Sequence, residues 1–84
     1  MTITEIAKAF DMSISKFAES IGYSRQALYY ETPVRGRVRG KAAINLLVMR
    51  NEATFAADKE MAERKYELRA NAIRELEKIL VGGK

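Results

Sequence analysis

Apolar residues recur at helical spacing along most of this chain. Ile3, Ile6, Ala7 and Phe10 form one stripe, and Ile14, Phe17, Ala18 and Ile21 form a second with the i, i+3, i+4, i+7 spacing that places four side chains on one helix face. A third stripe, Ala43, Ile44, Leu47 and Val48, is placed to close a helical core over Phe10, Phe17 and Leu28. A fourth, Ala62, Tyr66, Arg69, Ile73, Leu76 and Leu80, alternates steps of four and three in the manner of a heptad seam that Arg69 interrupts. Glu60, Arg64, Arg74, Glu75 and Lys78 lie between these positions as the mixed charges of a solvated helix surface.

The punctuation between stripes sets the element boundaries. Thr2 with Glu5 three residues on makes a capping box, so a first helix begins at once. Asp11, Met12 and Ser13 break it, with Asp11 or Ser13 available to cap the next. Gly22 ends that second helix, because glycine takes the left-handed conformation without a Cβ penalty, and Ser24 caps a third running from Arg25 to Glu31. Pro33 biases Thr32 away from helix. In residues 32–41, arginines alternate with valine and glycine; this period of two predicts a short basic wing or loop. From Lys41 the helical pattern resumes, with Asn51 or Thr54 as the expected break and Gly82 and Gly83 as the end. No internal repeat is expected. The fold class expected is all-α: a small helical head, residues 1–50, carrying the basic segment, and a long C-terminal helix, residues 51–84.

Ile14 to Glu31 therefore read as two short helices about a glycine turn, with Ala18 small enough for a close crossing and Leu28 filling the core. Ser24, Arg25, Gln26, Tyr29 and Tyr30 stand at the start of the second of these helices and one turn on, where a recognition helix presents hydrogen-bonding groups to base edges. A competing frame, with Ala7 at the crossing, Asp11 at the turn and Phe17 in the core, would offer DNA Ser15 and Glu19, the latter repelled by phosphate.

On Ala18, Gly22, Ser24, Arg25, Gln26 and Leu28, with Asp11-Met12-Ser13 as the turn before the motif, the first half of the chain resembles the phage Cro and repressor (lambda repressor-like) helix-turn-helix family. The family usually has an apolar residue three positions after Leu28; here Glu31 stands there, and Tyr30 is expected to turn inward to do that packing. The resemblance implies a DNA-binding transcriptional regulator, a repressor of phage or prophage type, on a palindromic operator. Tyr29-Tyr30-Glu31, the basic segment and a long terminal helix also resemble the MerR family, although this chain has a helix before its helix-turn-helix and the spacing from Gly22 to the tyrosines is one residue short.

Charge sharpens the picture. The net charge is +4; residues 1–50 hold eight basic and four acidic side chains, and the remainder seven of each, so the whole excess lies with the helix-turn-helix. That is the distribution of an electrostatic footprint for phosphate, with Lys16, Arg35, Arg37, Arg39 and Lys41 as the candidate contacts to the backbone or minor groove. With no cysteine and no histidine, zinc fingers, disulfide scaffolds, thiol catalysis and histidine acid–base chemistry are excluded. No phosphate loop or metal constellation is present, so neither an enzyme, a cofactor nor a small-molecule ligand is expected. No apolar run reaches membrane-span length, and a cytoplasmic setting in a bacterial cell or phage-infected host is expected.

Eighty-four residues make a marginal core, so a partner subunit is expected. The seam assigned to homodimerisation is Ala62, Tyr66, Ile73, Leu76 and Leu80. The reading from a different class is a protein-interaction adaptor in which the helix-turn-helix is only a scaffold.

Overall fold

In a computed structural model the chain folds as α1 (Ile3–Ala9), α2 (Ile14–Ser20), α3 (Arg25–Tyr30), α4 (Pro33–Ala57) and α5 (Lys59–Leu80). The structure describes residues 1–30 and 33–82, and the side chains of all of these except 30 and 33–37. The all-α class and the long C-terminal helix are as the sequence predicts.

The three short helices are cut by local hydrogen bonding. At Thr2 both halves of the capping box form: the Glu5 N–H donates to Thr2 Oγ1 at 3.2 Å and the Thr2 N–H to Glu5 Oε1 at 3.1 Å. The backbone and hydroxyl bonds from Thr2 hold the Glu5 carboxyl below its usual range. Ser13 caps α2 through the Lys16 N–H (3.2 Å) and Ser24 accepts from the Ala27 N–H (3.0 Å). Both exits are Schellman motifs. After α1 the N–H groups of Asp11 and Met12 bond to the carbonyls of Lys8 and Ala7, with Asp11 at φ 58°. After α2 those of Gly22 and Tyr23 bond to Glu19 and Ala18, with Gly22 at φ 80°.

Caps thus fall at residues 2, 13 and 24 and left-handed residues at 11 and 22, a period of eleven residues. The expectation of no internal repeat is corrected: the repeat lies in the caps and turns, and in Ala7 and Ala18 or Phe17 and Leu28, rather than in residue identity. The two helix-turn-helix frames that compete in the sequence are both built.

The expectation of a wing over 32–41 is also corrected. From Pro33 onward the segment is helix, the first turns of α4. Proline suits the first helical turn, where its missing N–H costs nothing. Gly40 is buried in this helix because α5 crosses there: a Cβ would meet the Leu80 carbonyl oxygen at 2.7 Å. Gly40 marks a helix crossing, and the segment from Pro33 is not a strand. The resemblance to the MerR family loses the wing on which it partly stood.

Nor does a break occur at Asn51 or Thr54. Asn51 is buried within α4 and its Nδ2 donates to the Tyr66 carbonyl at 3.2 Å. Thr54 Oγ1 donates to the Arg50 carbonyl one turn back (2.9 Å), which leaves the helix intact. The chain turns at Asp58, whose carboxylate caps α5 through the Met61 N–H at 3.2 Å. Residues 41–80 are therefore two helices, and the proposed domain boundary between residues 50 and 51 falls inside α4.

α5 runs back along α4 and also packs on α1. Ala72, Ile73, Leu76 and Leu80 join Ile6, Phe17, Leu28, Ala43, Ile44 and Leu47 in one core. The dimerisation seam is corrected accordingly. Ala62, Ile73, Leu76 and Leu80 are buried inside their own chain, and Tyr66 packs its ring against Phe55 of α4 at 4.7 Å, so the stripe is already covered without a partner. Arg69, which interrupts the heptads, is the residue that fastens α5 to the head. Its Nε donates to the Ala9 carbonyl at the end of α1 (3.0 Å), its Nη2 reaches Asp11 at 3.3 Å, and its guanidinium lies 5.3 Å from the Phe10 ring centroid. A cation at a helix C-terminus meets the negative end of the helix dipole. Val48, expected in the core, is 41% exposed and lines a cleft with Ile44 and Ile73.

Candidate nucleic-acid interface

α3 is anchored by two side chains and presents the others. Leu28 is fully buried and Ala27 partly so, which fixes the rotation of the helix about its own axis. Ser24, Arg25 and Gln26 are exposed, and Tyr29 is exposed one turn on. These are four of the five base-reading residues expected from the sequence, brought together at the start of one short helix and one turn on. The side chain of Tyr30, and with it the expectation that it turns inward past Glu31, lies outside the described residues.

The turn before α3 is fixed from a distance. Arg39, in the second turn of α4, donates from Nη2 to the Gly22 carbonyl at 2.7 Å, and its guanidinium sits 4.0 Å from the ring centroid of Tyr23. Tyr23 is 4% exposed and belongs to the core. Arg39 was expected to contact phosphate; its geometry makes it a clamp on the α2–α3 turn, in which a planar guanidinium stacks on an aromatic face while bonding a carbonyl. Tyr23 was missed as a site residue. The signal for it was present: in a Schellman exit the residue after the left-handed glycine commonly makes an apolar contact back to the helix.

The same clamp sets the first turns of α4 against the α2–α3 turn. The backbone at Arg35 and Arg37 thus leads directly into the clamp, although those side chains lie outside the described residues. Lys16 is exposed in the first turn of α2. Lys41 is exposed as well, but it lines a cleft between α4 and α5 with Ile44, Asn45, Glu77 and Val81.

Elsewhere the titratable groups serve the scaffold. Lys65, with Arg69 behind it, holds the Asp11 carboxyl below its ordinary range, at a Lys65 Nζ distance of 3.2 Å. The Glu52 carboxylate accepts from the Tyr66 hydroxyl at 2.6 Å and holds that phenol above its usual value. Among the described residues no cluster of three acidic side chains is placed to hold a metal ion, and no helix is long and apolar enough to cross a membrane. A groove of about 370 Å³ is lined by Phe10, Phe17 and Leu47 with Arg50 and Asn51.

Comparison with known proteins yields no relative: no family model, no curated protein and no solved structure matches the chain.

Proposed function

We propose that this protein is a sequence-specific double-stranded DNA-binding regulator that acts as a repressor by occupying a promoter in the bacterial cytoplasm. The observation that carries this reading is α3: Arg25, Gln26 and Tyr29 are exposed on a helix whose orientation is fixed by buried Leu28 and whose entry is clamped by Arg39. A helix so held can enter the major groove as one unit, with arginine suited to guanine and glutamine to adenine through paired hydrogen bonds. The excess positive charge of residues 1–50 supports phosphate binding around it. Lys16, Arg35 and Arg37 are the residues assigned to that role.

Selection of bound sequences from a random duplex pool tests the reading directly. The expected result is a short preferred site, for which Arg25→Ala and Gln26→Ala each lose about 1–3 kcal/mol while non-specific binding is nearly unchanged. Recovery of no preferred sequence, or equal losses on all sequences, overturns the assignment of α3 as a reader.

A further inference from the structure

The hairpin of α4 and α5 has two faces. One is spent on the head. The other carries a continuous shallow cleft, in which Lys41, Ile44, Asn45, Glu77 and Val81 lead into Val48, Glu52, Tyr66, Ala70, Ile73 and Arg74, with Ile44 and Glu77 shared by its two ends. Its middle is apolar, Ile44 and Ile73 forming the floor and Val48 standing 41% exposed above them. Its charged residues are two basic, Lys41 and Arg74, and two acidic, Glu52 and Glu77. A net-neutral strip on a chain of net charge +4 is not a surface for nucleic acid.

The order of residues along α4 indicates what fits it. At steps of four, three and four, the exposed stripe reads Lys41, Asn45, Val48 and Glu52. It is basic at one end and acidic at the other, so its charges match their own reverse: antiparallel superposition sets Lys41 on Glu52 at both ends, with Asn45 facing Val48 on either side of the two-fold axis. A two-fold contact demands this kind of self-complementarity, in which each residue meets the partner of its own partner. The molecule is 38 Å long and 20 Å across its shortest axis, so a hairpin face is of the order of the ~800 Å² that each partner buries in a stable interface.

We infer that the outer α4–α5 face binds a second copy of this chain, as an antiparallel four-helix contact centred between Asn45 and Val48 and closed at its ends by Lys41–Glu52 pairs. This contact meets the α5 stripe at Tyr66 and Ile73, which line the cleft, while Leu76 and Leu80 stay in the core, and it stands whether or not α3 reads DNA.

Light scattering and sedimentation on the full chain at tens of micromolar test it without DNA. The expected result is twice the chain mass for the unaltered protein and the single chain mass for Val48→Glu, with helix content by circular dichroism unchanged because Val48 lies outside the core. Lys41→Glu alone should weaken association at least tenfold, and Lys41→Glu combined with Glu52→Lys should restore it. A monomeric unaltered protein, or a Val48→Glu protein that remains a dimer, overturns the inference. Failure of the double exchange to restore what the single change lost overturns the antiparallel arrangement.

Discussion

The head and the hairpin reach the same secondary structure by opposite means. In the head a hydroxyl cap stands in front of each of α1, α2 and α3, and a left-handed residue closes α1 and α2 within a few residues. In α4 and α5 the decisive contacts join residues far apart in sequence, Gly40 with Leu80 and Asn51 with Tyr66. Short helices gain too little from propagation to persist alone, so caps matter most there, whereas a long helix takes its place from packing. Two glycines condense the contrast. At Gly22 an added Cβ meets nothing within 4 Å but the backbone is left-handed; at Gly40 the backbone is ordinary helix but the space is filled.

The contrast breaks most visibly in the shared core. Leu76 is fully buried between hairpin and head, so Leu76→Ala should cost about 2–5 kcal/mol and lower the thermal midpoint of both regions together. Two separate thermal transitions in the unaltered protein would show instead that the regions fold independently.

Gly40→Val ranks next. The helix gains slightly in propensity, but the branched side chain must displace the Leu80 backbone, for an expected net loss of about 2–3 kcal/mol in urea unfolding. An unchanged midpoint would mean that the crossing yields freely. Gly22→Ala has no clash to relieve and should lose only about 1 kcal/mol, the cost of a Cβ in left-handed backbone. If its loss equals that of Gly40→Val, the head is as dependent on close packing as the hairpin.

The smallest effect is electrostatic. The Asp11 carboxyl is held low in the folded state by Lys65 and Arg69, so the unfolded chain takes up its proton first as pH falls. Its contribution is present above the ordinary carboxylate range and is lost below about pH 4, as the folded value is passed. Asp11→Asn should therefore flatten acid destabilisation in that interval while changing neutral stability little, since the ion pairs are solvent-exposed. An acid profile unaltered by the substitution would assign the effect elsewhere, Glu5 being the other carboxyl held low.

The same division explains what was legible in the sequence. Thr2, Gly22 and Ser24 act on their immediate neighbours, and their roles follow from residue type and spacing. So did the exposed set on α3, because buried Leu28, with Ala27 beside it, fixes which side faces inward. Asp58 was missed as the hairpin corner because Asn51 and Thr54 are equally able caps, and only the position of Tyr66 and the backward bond to Arg50 exclude them. Ile73, Leu76 and Leu80 announced a buried face but not what buries it: heptad spacing is identical whether the opposing helix comes from the same chain or another. Arg39 was read by charge alone, whereas its work depends on the carbonyl of Gly22, seventeen residues earlier, and the ring of Tyr23 beside it.

Each of the two left-handed turns in the head is gripped by a different arm of the hairpin. The α1–α2 turn is held at Asp11 by Lys65 and Arg69 of α5, and the α2–α3 turn at Gly22 by Arg39 of α4. The arrangement is that of tongs with α2 between the jaws. Any motion that spreads the two arms must either release one grip or tilt α2, and with it the helix that follows. The entry to α3 is therefore set by the hairpin as well as by the head.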